Sequence, residues 1–247
     1  MKKMVCELCA YSVDACRVAA RLGVDRVELC ASPAEGGVTP SRATIERVSA
    51  IEGIDVSVMI RPRGGDFLYT DDEFQTMLAD IKHAREAGAT GVVFGILTSD
   101  GCVDVERTRQ LVEASQGLET TFHRAVDMTA DYEQAVRDVI AAGCTRILTS
   151  GGYDKAIDGI ENIRRAVAVA EGRIEIMAGS GVVADNAARL AAAGVDALHF
   201  SAKRMVVGGM KYRNPRISMG GSTSVDEFSL RVVDEQEVLG IFQQIGR

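Results

Sequence analysis

Short apolar runs alternate with longer amphipathic segments along the whole chain. The runs have the length and the β-branched content of strands, whereas apolar residues recur every three or four positions in the segments between them, as in helices that pack on a sheet. Eight strands are predicted, near residues 4–10, 26–30, 55–61, 91–97, 119–125, 146–150, 173–178 and 197–202. Glycine closes seven helical segments, at Gly23, Gly53, Gly88, Gly117, Gly143, Gly172 and Gly194. Because glycine accepts the left-handed backbone of a helix C-terminus, these positions mark helix ends that lead into strands.

Capping residues mark the predicted helix starts. Ser12 and Ser41 precede the first two helices, and the sequence Thr-Asp-Asp-Glu at 70–73 is a capping box before the third. Eight strand–helix units in 247 residues predict a TIM (β/α)8 barrel that occupies residues 1–247 as a single domain. A doubly wound open sheet is the alternative, but that fold usually carries a glycine-rich phosphate loop after its first strand, and residues 10–12 contain no glycine.

One segment, residues 204–224, breaks this alternation. It is rich in Gly, Met and Ser and shows no periodicity, so we predict a long loop between strand eight and a last helix near residues 226–245. Long loops in compact domains often act as lids or binding loops, and this one is a candidate cover for the barrel mouth or an oligomer arm. A loop without a role is the alternative.

Composition narrows the classes of partner. The chain is 47% hydrophobic and 26% charged, with a net charge of -7 and no basic cluster, which argues against nucleic-acid binding. No long apolar stretch indicates a signal peptide or a membrane span. We therefore expect a cytoplasmic protein whose partner is a copper ion or a small anionic molecule, with no nucleic acid and no membrane.

The tetrapeptide Glu-Leu-Cys-Ala occurs twice, at 7–10 and 28–31, each time at the end of a predicted strand. Side chains alternate along a strand, so Glu7 and Cys9 share one face, as do Glu28 and Cys30. On neighbouring parallel strands these groups converge, and two soft thiols favour Cu(I). Core packing is the alternative interpretation. The C-x-x-C spacing at 6–9 places its two thiols on opposite faces and does not predict a redox motif.

Other donors could complete such a metal site. Tetrahedral zinc would need additional ligands such as His123 or His199. Three methionines in the long segment, Met205, Met210 and Met219, could add thioethers to copper.

Polar residues fall at the C-terminal ends of several strands, which form the active face of a TIM barrel. Arg61, His123, Glu175 and His199 are predicted to face the interior, together with the two repeated glutamates. We expect Glu28 to pair with Arg61, since buried charges need partners. A closed polar network that plugs the barrel top is the alternative.

Ligand contacts are predicted in the loops at the same face. After strands seven and eight, Gly179, Gly181, His199 and Ser201 occupy the usual phosphate seat of the fold, above a helix N-terminus. After strands three and five, three further side chains are predicted to contact the ligand: Arg63, Asp66 and Asp127.

An enzyme of lyase or isomerase type is the competing hypothesis. Arg61 would hold a small anionic substrate, with or without a phosphate group, while Glu7 or Glu28 acts as general base and His123 as acid or electrophile. Proton abstraction beside a carbonyl or an aldol-type cleavage fits these groups. Only Lys203 lies near enough to a strand end to form a Schiff base. A pure interaction scaffold ranks last, because it would not need charges inside the barrel.

Several long motifs resemble the CutC family, and the resemblance covers nearly the whole chain. They lie at residues 26–30, 36–41, 59–67, 121–125, 146–151, 199–202 and 210–214. The resemblance implies a TIM barrel, a cytoplasmic location, a role in copper homeostasis, Cu(I) at Cys9 and Cys30, and a homo-oligomer. Two positions depart from the family pattern: Val126 stands where Phe is expected, which we attribute to packing, and Ser180 stands where Gly is expected.

Overall fold

The computed structural model describes residues 3–214, 216–217 and 226–247. Eight parallel strands form a closed barrel in chain order, which confirms the predicted TIM (β/α)8 architecture. The strands are β1 (Val5–Ala10), β2 (Arg26–Leu29), β3 (Asp55–Met59), β4 (Gly91–Phe94), β5 (Glu119–Phe122), β6 (Arg146–Thr149), β7 (Glu175–Gly179) and β8 (Ala197–Phe200). Every strand lies where the apolar runs predict it, although most end one to three residues earlier.

Helices surround the barrel and begin at the predicted caps. They are α1 (Val13–Leu22), α2 (Arg42–Ser49), α3 (Asp71–Glu86), α4 (Val105–Ser115), α5 (Tyr132–Ala142), α6 (Ile160–Ala170), α7 (Ala184–Ala191) and α8 (Glu235–Gln244), with 3₁₀ turns at Pro33–Glu35 and Arg124–Met128. Ser12 and Ser41 accept hydrogen bonds from first-turn amides, and Thr70 and Glu73 form the capping box. Among the described residues, no helix is long and apolar enough to span a bilayer.

The segment after β8 differs from the prediction. Lys203–Val207 and Ser229–Val233 form an antiparallel pair, β9 and β10, so the aperiodic loop is wrong for residues 204–207, and residues 218–224 lie outside the described residues. The last helix begins at Glu235 rather than 226, because β10 occupies 229–233 and Asp234 accepts hydrogen bonds from the amides of Gln236 and Glu237. Neither strand alternates between buried and exposed positions, so the sequence carries no clear strand signal there.

The apolar core lies between the barrel and the helices. Residues such as Leu8, Val27, Val58 and Phe94 point outward from the strands and are fully buried there. The alternate positions face the barrel axis, and many of them are polar. The interior is therefore unlike the usual branched aliphatic filling of this fold, and its polar side chains form the candidate site.

Candidate functional site

Strand register brings the two repeated tetrapeptides together with a stagger. Cys9 pairs with Glu28 in the β1–β2 ladder, while Glu7 pairs with Arg26 on one side and with His199 of β8 on the other. The copies therefore do not lie level, because β2 is shifted by two residues relative to β1. The stagger places Cys9 beside Glu28 and leaves Cys30 nearest the mouth.

The deepest polar layer is a chain of ion pairs across the barrel. Arg26 hydrogen-bonds to Glu7 and lies 3.3 Å from Glu175, and Glu175 also accepts from Arg146 at 2.6 Å. Arg146 donates to Thr121 at 2.9 Å as well. Burial disfavours ionised Glu7, but Arg26 and His199 outweigh it and lower the pKa of Glu7 to about 2. This layer confirms that charged residues occupy the interior.

His199 joins this layer to the cysteines above it. Its Nδ1 lies 2.7 Å from Glu7 Oε1, and its Nε2 lies 3.8 Å from Glu28 Oε2. Burial alone would lower the pKa of His199, but Glu28, Cys9 and Glu7 raise it well above its usual range. Burial raises the pKa of Glu28 to about 8, and Cys9 adds to this rise. At neutral pH the pair is therefore an imidazolium beside a protonated carboxyl group.

Cys9, Glu28 and Cys30 form a compact donor cluster. Their sulfur and carboxylate oxygen atoms lie within 4.8 Å of one another, and Cys30 Sγ lies 3.4 Å from Glu28 Oε2. A hydrogen bond from Cys30 holds the pKa of the Cys9 thiol well below its usual range, against the effect of burial. His199 lowers it further. The lowered pKa favours the thiolate of Cys9, the form of cysteine that binds metals.

Arg61 follows the neighbouring strand β3 but does not pair with Glu28, so the expected ion pair is wrong. Its Nη1 donates to the carbonyl oxygens of Glu35 (2.7 Å) and Gly37 (2.9 Å), and its Nη2 donates to Gly65 O at 2.8 Å. The reason is geometric: the loop after β2 folds back over the end of β3 and surrounds the guanidinium with backbone carbonyls. Glu28 instead faces His199 and Cys30.

His123 lies one residue past β5, not within the strand as predicted, yet it faces the interior. Its Nδ1 accepts a hydrogen bond from Ala125 N at 3.1 Å, whereas Nε2 is buried without a partner. Burial and the positive charges of Arg61 and Arg124 lower the pKa of His123 to about 3. Gly95 leaves room for the ring, because an added Cβ would lie 2.5 Å from it. His123 is therefore a neutral imidazole at neutral pH.

A cavity of about 740 Å³ opens between these two sides at the C-terminal face. Such a volume is in the range of small-molecule sites. Predicted site residues on its wall are Cys9, Glu28, Arg61, His123, Gly181, His199 and Ser201. Glu7 lies beneath it, and Cys30 lies buried beside Cys9.

Four residues predicted to contact the ligand lie away from the cavity wall: Arg63, Asp66, Asp127 and Gly179. Arg63 pairs with Glu73 and Asp66 on the outer surface. Asp127 accepts hydrogen bonds from the backbone amides of Ser150 and Gly152 and so holds the loop after β6. Gly179 packs against His199. The contacts of all four residues are with other parts of the protein. Of the loop methionines, Met205 and Met210 are exposed away from the cysteines, and Met219 lies outside the described residues.

The predicted phosphate seat already holds a carboxylate of the chain itself. Glu237 of α8 accepts a hydrogen bond from Ala184 N, the first amide of α7, at 2.7 Å. Asn186 Oδ1 accepts from the preceding amide, that of Val183, at 3.0 Å. These groups satisfy the amides that would bind an anion, and the Glu237 charge would repel a phosphate. Ser180 adopts the left-handed φ of 79°, which explains why the family pattern has glycine there.

The sequence reasoning overlooked Arg26 and Arg146 as interior residues. Alternation gives the signal that could have found them, since Arg26 shares a face with Glu28, and Arg146 lies two residues before Leu148 on the inner face. Val126 is fully buried, in agreement with the packing role predicted for it. All six cysteines are free thiols.

Comparisons with known proteins agree on one family. A model of the CutC family matches residues 4–204. A family protein CutC of Bacteroides thetaiotaomicron is 46% identical over 247 residues, 99% of each chain. The copper homeostasis protein cutC homolog of Homo sapiens is 44% identical over 233 residues, 94% of this chain and 85% of the human one.

Solved structures show the same relationship. The crystal structure of a copper homeostasis protein CutC from Streptococcus agalactiae matches with a TM-score of 0.77 and 38% identity, and covers 81% of this chain and 99% of that one. An aldolase matches with a TM-score of 0.63 at 17% identity, which shows the fold alone. By family model, sequence identity and fold, the chain belongs to the CutC family, a family of TIM barrels that bears the name of copper homeostasis.

Proposed function

We propose that the protein serves copper homeostasis in the cytoplasm by binding one Cu(I) ion between Cys9 and Cys30. The observation that carries this proposal is the donor cluster itself: two sulfurs and one carboxylate oxygen within 4.8 Å, beside an open cavity. Thiolates select Cu(I), which is the form of copper in a reducing compartment. Zinc prefers four tetrahedral ligands, so it would need His199, whose Nδ1 already contacts Glu7, in addition to the three donors of this cluster.

Neighbouring groups support a thiolate pair at this position. Cys9 is half-buried on the cavity wall, whereas Cys30 is 2% exposed, so an ion would reach Cys9 first from the cavity. Cys30 Sγ lies 3.4 Å from Glu28 Oε2, and Cys30 also hydrogen-bonds to Cys9. Metal binding by cysteine releases protons, and the lowered pKa of Cys9 makes this release easier than from an ordinary thiol.

Competition with a chromogenic Cu(I) chelator under anaerobic conditions tests the proposal. We expect one equivalent of Cu(I) to bind the native protein and none to bind the Cys9→Ser, Cys30→Ser double variant, because serine oxygen is a poor ligand for a soft cation. Cys102→Ser, which removes an exposed thiol, and Cys144→Ser, which removes a buried one, are the matched controls. Undiminished copper binding by the double variant would refute the assignment.

Acid–base catalysis on a small anionic molecule is a second candidate function. It is favoured by Glu28, which lines the cavity, contacts His199 through one carboxylate oxygen and leaves the buried Oε1 without a hydrogen-bond partner. A carboxyl group with one free oxygen facing a cavity can exchange a proton with a bound molecule. Lys203 is exposed at the rim of the cavity, and this candidate function assigns it no role.

Deuterium exchange provides the measurement for this candidate. In D₂O, the copper-free protein is expected to speed loss of the methyl proton signal of pyruvate in ¹H NMR spectra, because proton abstraction beside a carbonyl exchanges hydrogen without requiring a full reaction. Glu28→Gln should abolish the exchange, while Glu35→Gln, a charge change on the rim of the same cavity, should preserve it. An exchange rate no faster than that of protein-free buffer contradicts this function.

A further inference from the structure

Arg61 carries a buried positive charge without a counterion. The side chain is 7% exposed and lines the cavity, yet no carboxylate among the described residues lies within 4.0 Å of its guanidinium nitrogens. Three backbone carbonyl oxygens accept its Nη hydrogens, but its Nε is buried and has no partner. Carbonyl dipoles solvate a guanidinium only in part, and a buried charge normally pairs with an ion of opposite sign.

His123 adds an unpartnered donor to the same side of the cavity. Because its Nδ1 accepts the hydrogen bond of Ala125 N, the proton of the neutral ring lies on Nε2. That atom is buried and unpartnered, and the residue is 5% exposed. Buried polar groups are almost always hydrogen-bonded in native proteins, so a lone donor on a residue that lines the cavity indicates an acceptor bound there.

Phe67 joins the two donors into one surface. Its ring stacks under the Arg61 guanidinium at 5.1 Å and contacts the His123 ring at 4.9 Å between centroids. We call these three residues the Arg61–His123 wall. It presents one positive charge, one neutral N–H donor and one apolar ring to the cavity.

The deep carboxylates of the barrel do not neutralise this wall. Glu7 pairs with Arg26 and His199, and Glu175 pairs with Arg146. Within the described part of the chain, Arg61 therefore lacks a carboxylate partner.

We propose that the Arg61–His123 wall binds the carboxylate of a small organic monoanion, with one oxygen on Arg61 and the other on His123 Nε2. This proposal deepens the second candidate function, since it names what holds its substrate, but binding depends on neither catalysis nor copper. A monoanion fits because the wall supplies a single positive charge, and the nearby Arg124, which also lines the cavity, is paired with Asp127. A phosphate dianion would need a second one, and Glu237 already occupies the helix terminus where phosphate usually binds in this fold.

The rest of the ligand would lie on apolar surface. Phe67, Met59 and Leu148 also line the cavity, and its volume of about 740 Å³ accommodates a short carbon chain beyond the carboxylate. A small 2-oxo or aliphatic acid has this combination of one charge and an apolar body. Inorganic anions have the charge without the body.

Ligand-observed NMR and calorimetric titration with butanoate test the proposal on the full chain. We expect saturable one-to-one binding of butanoate, weaker binding of inorganic phosphate, and no binding of the neutral isostere butanamide. Arg61→Gln should weaken butanoate binding by roughly tenfold or more, since a charge-assisted hydrogen bond is lost. His123→Gln should weaken it by a smaller factor. Lys203→Gln removes a positive charge from the exposed rim of the same cavity and should leave the affinity unchanged.

Two further measurements keep the result interpretable. If Arg61→Gln fails to fold, because Arg61 also holds three backbone carbonyls, His123→Gln carries the test alone. The Cys9→Ser, Cys30→Ser variant should bind butanoate normally, and so should Glu28→Gln, which separates this site from the copper and catalytic proposals. Equal affinity for butanamide, tighter binding of phosphate, or an equal loss in Lys203→Gln overturns the proposal.

Discussion

Arg26→Met is expected to lower the free energy of unfolding by about 3–5 kcal/mol, the usual effect of breaking a buried ion pair by removing one partner. Arg26 is 7% exposed, and its guanidinium is shared between Glu7 and Glu175. Glu7 is fully buried, so without Arg26 its carboxylate would keep only His199 as a compensating charge. Urea denaturation at pH 7, followed by circular dichroism, measures the change.

Two variants calibrate this result. Arg137→Met removes an arginine whose pair with Glu133 is exposed on α5, and we expect a loss of less than about 1 kcal/mol. Arg26→Met combined with Glu7→Gln should recover part of the loss, because the stranded charge is removed as well. If Arg26→Met costs no more than Arg137→Met, the interior ion pairs do not stabilise the barrel in the way the geometry indicates.

Acid sensitivity from His123 is the second large effect. Its pKa falls from an ordinary value of 6.5 to about 3 in the folded chain, so the unfolded state binds more protons between these limits, and stability is lost as the pH falls. Between pH 7.5 and pH 5, the native protein should lose about 2 kcal/mol more than His123→Asn does. Denaturation curves of both proteins at the two pH values give this difference.

The comparison isolates His123 from the other buried groups. The raised pKa of His199 acts in the opposite sense, since its stabilising protonation is present below the unfolded pKa and is lost as the pH rises. That contribution is common to both proteins and cancels in the difference. His83→Asn, a histidine replacement on the outer helix α3, should retain the full pH dependence of the native protein. If the stability of His123→Asn fell with pH as steeply as that of the native protein, burial of the imidazole would not hinder its protonation.

The barrel could be predicted because its signals are local. Each glycine at a helix end and each apolar run is a property of a few neighbouring residues. Eight repeats of this strand–helix pattern together predict the TIM barrel. Alternation along a strand also sufficed to select Cys9 and Cys30, whose sulfurs the structure places in one cluster. The β9–β10 hairpin escaped the same reasoning, because its strands are separated by a long insertion and each carries only five residues.

Partners within the site could not be predicted, since they depend on stagger and on loop paths. The pairing of Glu28 with Arg61 was inferred from adjacent strands, but the loop after β2 supplies carbonyl oxygens to Arg61 first. The carboxylate that accepts a hydrogen bond at the N-terminus of α7 belongs to Glu237, which lies 53 residues after the donor amide of Ala184. No short-range pattern in the sequence encodes such contacts.

The hydrogen bond between His199 and Glu7 closes the barrel across 192 positions of the chain. During synthesis, β1 leaves the ribosome long before β8 does. Until β8 is made, β1 can pair with β2 but not with its second neighbour. Contacts of such long range form late and slow the folding of a domain. Cys9, Glu28 and Cys30 belong to β1, β2 and the residue after β2, so they can meet before β8 is made, whereas His199 reaches Glu28 only when the barrel closes. A chain that stops before β8 therefore has the three donors without their imidazole neighbour.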